Sequence, residues 1–145
     1  MNNDTQNKNG LKPELSPDQL DQALATAEDL LGRAQIPFLV LGKTLEGVLK
    51  EKLEGDKIEL GVRKRYLTED TLGILKIVTD SFFGQKVTIE DNLISFEHGG
   101  VPVEIRIINR NYKCLENPDK VFYKVTEYFI PNPVGDYLKI KALIQ

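Results

Sequence analysis

Carboxylates, lysines and small residues gather in a few short stretches of this chain where their chemistry could be pooled. Residues 55–62 read GDKIELGV and residues 103–108 read VEIRII. Two carboxylates at positions i and i+2 of a strand project from one face of a sheet. Such an oxygen pair suits magnesium, which takes a near-octahedral shell and neutralises charge on a reacting phosphate. At that spacing the first stretch offers Lys57 and Glu59, one ammonium and one carboxylate. Asp56 is three residues from Glu59 and falls on the opposite face of a regular strand. A bulge, or a strand that begins only at Ile58, would bring the two acids together. Glu104 lies in the second stretch, among apolar residues. Upstream, Gly42-Lys43-Thr44 closes an apolar run. Gly42 permits close backbone approach at a strand-to-helix junction, the helix start favours an anion, and Lys43 would hold a phosphate group directly. The alternative is a solvated lysine beside a tight turn. A Walker-type loop is not expected, because it needs a glycine where Pro37 stands.

Other reactive side chains offer less. His98 is the only histidine and precedes Gly99-Gly100, so it reads as a turn residue rather than a ligand or base. It leaves no serine or cysteine triad to propose. Cys114 is the only cysteine, which rules out an internal disulfide and a multi-cysteine zinc site, and it reads as a small buried hydrophobe. Arg63-Lys64-Arg65 flanks a strand end and is countered by Glu69 and Asp70. It reads as a solvated loop within reach of a substrate phosphate.

The elements that must carry these residues follow from pattern. Residues 1–15 are polar and asparagine-rich, too poor in apolar surface to offset the entropy of ordering, and read as a disordered tail. Ser16, Pro17 and Gln19 form an N-cap, a first-turn proline and a capping box. Leu20, Leu24, Ala27, Leu31 and Ala34 then share one helical face, up to a break at Ile36-Pro37. Phe38 to Leu41 is wholly apolar, as expected of a strand covered on both faces. Leu45, Val48, Leu49 and Leu53 recur at helical spacing, with Gly55 as the stop. Ile58, Leu60 and Val62 alternate with polar or small residues, a strand period. Thr68 caps a second long helix whose apolar side is Leu72, Leu75, Ile77 and Val78, extended by Phe82 and Phe83. Strands are expected over 86–90, 93–97 and 101–108, joined by turns at Asp91-Asn92 and Gly99-Gly100. Val121 to Ile130 reads as one further strand. Pro131-Asn132-Pro133 then leads into a helix with Tyr137, Leu138, Ala142 and Leu143.

Two segments, Leu41-Gly42-Lys43-Thr44-Leu45-Glu46-Gly47-Val48-Leu49-Lys50 and Gly55-Asp56-Lys57-Ile58-Glu59-Leu60-Gly61-Val62, resemble the nucleotidyltransferase superfold, closest to its LicD/fukutin-like branch. There the pattern is roughly LGGTLLGAVR followed by DDDIDLGV. The ending FIPNPVGDYLKIKALI is similar to the close of such domains, so the resemblance runs over residues ~20–145 in order and spacing. The order helix, strand, helix, strand, helix, strand meander and final helix predicts an α+β (α/β) fold with a mixed, mainly antiparallel sheet and helices mainly on one face, and the resemblance agrees with it. The resemblance also implies transfer of a nucleotidyl or phospho-alcohol group from a nucleotide donor, with Mg2+ as cofactor. Glu104 matches the family's third carboxylate, so Glu59 and Glu104 become the metal ligands, with Asp56 swung in as a third catalytic acid. Gly42, Lys43, Thr44 and Lys57 become the phosphate-binding set. Two departures stand out: Lys43 replaces a small residue, and Lys57 replaces the first metal-binding Asp. In the other reading Lys57, Glu59, Glu104 and Arg106 form a charge cluster on an inherited scaffold. The function then is either a transferase with an eroded metal site, or a non-catalytic domain that binds a nucleotide, a nucleotide-linked small molecule or a protein partner.

Bulk properties set the frame. With 145 residues, 41% hydrophobic and 28% charged, residues 16–145 suit a single globular domain. A net charge of −3 gives no electrostatic reason to expect nucleic acid. No apolar run approaches the ~20 residues of a membrane span, and the N-terminus has no signal-like apolar core. A cytoplasmic setting without a membrane partner is the expectation.

Overall fold

Local capping signals place the first long helix. In the computed structural model Gln19 N–H donates to the Ser16 hydroxyl at 3.2 Å and Ser16 N–H donates back to the Gln19 side chain at 2.9 Å. Helix α1 (Pro17–Arg33) then buries Leu20, Ala23, Leu24, Ala27, Leu30 and Leu31 along one side. The structure describes residues 15–83 and 86–144. All but residue 15 of the tail expected over 1–15, and the side chains of Phe82 and Phe83, lie outside the described residues.

Seven strands form one mixed sheet: β1 (Leu39–Val40), β2 (Ile58–Arg63), β3 (Thr88–Glu90), β4 (Leu93–His98), β5 (Val101–Ile108), β6 (Asp119–Tyr123) and β7 (Thr126–Ile130). Their order is β3-β4-β5-β2-β1-β7-β6. The pairs β1–β7 and β2–β5 are parallel, and the other four pairs are antiparallel. The fold class is therefore mixed α and β, as the element order predicts. The meander β3-β4-β5 turns at Asp91-Asn92 and Gly99-Gly100, all four with positive φ, the conformation that two-residue hairpin turns demand.

Alternation gives the sheet two unlike faces. On β2 and β5 the register places Ile58 beside Val103 and Leu60 beside Ile105, all buried, and α1 packs on both strands. The other face presents Glu59 beside Glu104 and Gly61 beside Arg106. Helix α3 (Glu69–Val78) packs against α1. It starts at Thr68, whose hydroxyl accepts from Thr71 N–H at 3.1 Å. Helix α5 (Val134–Ile144) instead reaches the acid-bearing face through Tyr137, so the helices are divided between the faces more than the expected one-sided arrangement.

Three expectations need correction. Helix α2 (Gly42–Leu49) ends six residues before Gly55, because Glu51 takes the left-handed conformation (φ 61°) just past its C-cap. Lys52 N–H donates to Gly47 C=O and Glu51 N–H to Val48 C=O, a Schellman closure with glutamate where glycine is usual. Gly47 is required there, since a Cβ would sit 2.9 Å from Leu53 Cα. Leu53 is still buried, but from a loop, while Leu49 is exposed. Second, 121–130 is a hairpin, not one strand; β6 and β7 turn at Lys124, which also has positive φ. Third, Ile77, Leu138 and Leu143 face solvent rather than the core. A short helix, α4 (Lys113–Glu116), carries the buried Cys114.

Candidate functional site

The strand period brings the two principal acids together. Glu59 of β2 and Glu104 of β5 are direct neighbours across a parallel pairing, with side chains on one face. With Lys57, Gly42, Arg106, Tyr137 and Lys141 they line a cleft of about 60 Å³. That is room for a few water molecules, at ~10–15 Å³ each, and far below the ~300 Å³ at which small-molecule pockets begin.

Most polar groups in this cleft are already engaged; among the described residues Arg106 is the one charged lining residue whose side chain makes no hydrogen bond or ion pair. Lys57, one residue ahead of β2, sends its ammonium to Glu104 Oε1 at 3.0 Å. The hydrogen bond to Glu104 holds the Lys57 pKa above its ordinary value. The charges of Glu104, Glu59 and Asp56 add to this against a smaller opposing effect of burial. The Glu59 carboxylate sits over the first turn of α2, where it accepts from Lys43 N–H at 2.9 Å. Gly42 lies directly beneath it: a Cβ there would be 2.6 Å from Glu59 Cδ, and φ is +58°. Only glycine meets both conditions without strain. Gly42 N–H donates to the Tyr137 hydroxyl at 2.7 Å, which closes the helix start from the α5 side. Burial, chiefly, pushes the Tyr137 phenol up. Lys141 pairs with Glu46 of α2 at 3.9 Å.

The remaining expected residues are used differently. Thr44 is buried, and its hydroxyl accepts from Glu59 N–H at 2.8 Å, fastening α2 to β2. Lys43 is exposed, its stem laid along Gly55, and does not line the cleft. Asp56 is exposed and also outside the lining: β2 does begin only at Ile58, but that late start does not bring Asp56 in beside Glu59 as expected. It reaches the site only through its charge on Lys57. Among the described residues no group of three or more His, Cys, Asp or Glu is placed to hold a metal ion. The donor set does not fit magnesium: one acid is held by an ammonium, the other by a backbone amide, and Lys57, Arg106 and Lys141 outnumber Glu59 and Glu104.

Lys141, Tyr137 and Arg63 were not legible as site residues. Tyr137 is 95 positions from Gly42 in sequence, with only its place in the FIPNPVGDYL ending as a signal. Arg63 was expected in a solvated loop with Lys64 and Arg65. It is the last residue of β2 and is 6% exposed, while Lys64 and Arg65 turn outward in a 3-10 turn. Among the described residues, no helix is long and apolar enough to cross a membrane. Compared with protein-family models and with curated proteins, the chain matches none of them.

Proposed function

We propose that this chain is a non-catalytic nucleotidyltransferase-like domain that acts as a binding module. The observation that carries this reading is the 3.0 Å contact between Lys57 Nζ and Glu104 Oε1. An ammonium stands where the resemblance expects a cation-binding carboxylate, and it takes one of the two remaining acids as its partner. Two like charges ~4 Å apart repel by about 1–4 kcal/mol between water and protein-surface dielectrics, or several-fold to several-hundred-fold in cation affinity. A lining with three cations over two acids suits an anionic group, such as the phosphate of a nucleotide-linked ligand, better than a bare metal ion. The alternative reading, a transferase with an eroded metal site, is favoured by the register that sets Glu59 beside Glu104.

Calorimetric titration of manganese separates the two. We expect weak, unsaturated binding to the unaltered protein at millimolar metal, and binding strengthened several-fold or more in Lys57→Asp. Tight binding by the unaltered protein, or no gain in Lys57→Asp, overturns the non-catalytic reading.

A further inference from the structure

The far end of the same strand face holds a cation in the opposite condition. A guanidinium is always charged and carries five N–H donors. Buried cations are normally matched by a carboxylate, because desolvating an unpaired charge is expensive. Arg63 is 6% exposed. Among the described residues its side chain makes one hydrogen bond, Nη2 to the neutral Asn111 Oδ1 at 3.3 Å, and no carboxylate forms an ion pair with it. Most of its donors are therefore left for whatever enters the space in front of it.

That space is a pocket of about 280 Å³, close to the lower size of small-molecule sites. Phe38, Leu39, Tyr66, Leu115 and Phe129 give it an apolar wall. Phe38 is steadied by an edge-on contact with Tyr128, with ring centroids 6.2 Å apart. Leu41 and Ile108 lie over Gly61 and divide this pocket from the acid cleft: a Cβ on Gly61 would be 2.4 Å from Leu41 Cδ1 and 3.0 Å from Ile108 Cδ1. The pocket is thus a separate site on the same face, independent of how the acid cleft is read.

We propose that this pocket binds a small carboxylic acid with an aromatic or branched hydrocarbon body, the carboxylate on Arg63 and the body against Phe38, Tyr66 and Phe129. One guanidinium fork matches one carboxylate, which it grips with two parallel hydrogen bonds. A phosphate monoester fits less well, because Glu116 also lines the pocket and would face its second negative charge. A neutral hydrocarbon would leave the guanidinium as poorly paired as before.

The chain has no tryptophan, so the emission of an indole ligand can be followed directly. Indole-3-acetate is the probe, with indole-3-acetamide as its uncharged match, hexanoate as an aliphatic competitor and phenyl phosphate as the dianion. The unaltered full chain should bind indole-3-acetate at least about tenfold more tightly than the amide, with hexanoate competing. Arg63→Gln should abolish that preference. Glu116→Gln, an exposed change that leaves the fold alone, should tighten the acid several-fold. Equal binding of acid and amide, tighter binding of phenyl phosphate, or no binding of either acid would each overturn the proposal. So would a self-association by light scattering that Arg63→Gln abolishes, since a second copy would then fill the pocket. The acid-to-amide ratio is measured on the unaltered protein, so the result stands even where Arg63→Gln fails to fold.

Discussion

Lys57 and Arg63 stand six residues apart on one side of β2, yet their surroundings are opposites. Around Lys57 the polar groups answer one another: ammonium to Glu104, Glu59 to Lys43 N–H, Gly42 N–H to Tyr137. Around Arg63 a buried charge meets one amide oxygen and an apolar wall. In the cleft around Lys57 the answered donors and acceptors contribute rigidity, and Arg106 is what is left to offer an anion. A pocket with unspent donors is costly by itself and gains when something enters. The difference teaches that charged residues in a cleft mark a binding site only when their partners are missing.

If the cleft is structural, substitutions there should cost stability, whereas the pocket should tolerate them. The largest loss is expected from Gly42→Ala. It forces a left-handed residue with a Cβ into the Glu59 carboxylate, at a cost of more than about 2 kcal/mol in chemical denaturation. A small loss would mean that Glu59 moves freely and the cleft is not closed. Tyr137→Phe should cost about 1–3 kcal/mol, because Gly42 N–H is left without its acceptor in a buried place. An unchanged melting temperature would show that water replaces the hydroxyl.

The tyrosines and Lys57 also predict a pH response. Burial raises Tyr137, raises Tyr128 to about 12 and, with the Asp21 hydrogen bond, raises Tyr123 further. Lys57 is raised by Glu104. Each group holds its proton more tightly folded than unfolded. Its contribution to stability is complete below the unfolded pKa, near 10 for tyrosine, and is lost as pH rises towards the folded value. Melting temperature should therefore fall from about pH 10 upward. A melting temperature that stays unchanged as pH rises through that range would contradict it.

The smallest effects sharpen the comparison most. Lys57→Met removes a partly exposed ion pair and should cost no more than about 1 kcal/mol. Arg63→Met should cost less than about 1 kcal/mol or stabilise the chain, because it removes a poorly paired buried cation. A loss of several kcal/mol at Arg63 would show that the guanidinium holds the fold together.

What was legible in the sequence is what is decided locally. The Ser16 and Thr68 caps, the alternation of Ile58, Leu60 and Val62, and the turns at Asp91-Asn92 and Gly99-Gly100 each depend on residues within a few positions. The side-by-side placement of Glu59 and Glu104 follows once both strands are parallel neighbours. The turns at Glu51 and Lys124 were missed because neither has the glycine or asparagine that usually marks a left-handed residue; a helix-closing backbone pair and a tight hairpin turn carry that conformation there. The pairing of Lys57 with Glu104, the reach of Tyr137 to Gly42 and the burial of Arg63 join residues far apart in sequence. No local pattern encodes them.

Strand β1 is two residues long, and its pairing with β7 consists of Leu39 beside Phe129. The hairpin β6–β7 is thus sewn to the rest of the sheet along the thinnest seam in the molecule. Sheets part where the ladder is shortest, and such regions open at a fraction of the global unfolding free energy. Amide hydrogen exchange should therefore divide the sheet in two, with β6 and β7 exchanging well before β2, β4 and β5. Leu39 and Phe129 are both walls of the Arg63 pocket, one from each side of that seam. Whatever occupies the pocket touches both banks, and protection of the hairpin amides would report its arrival.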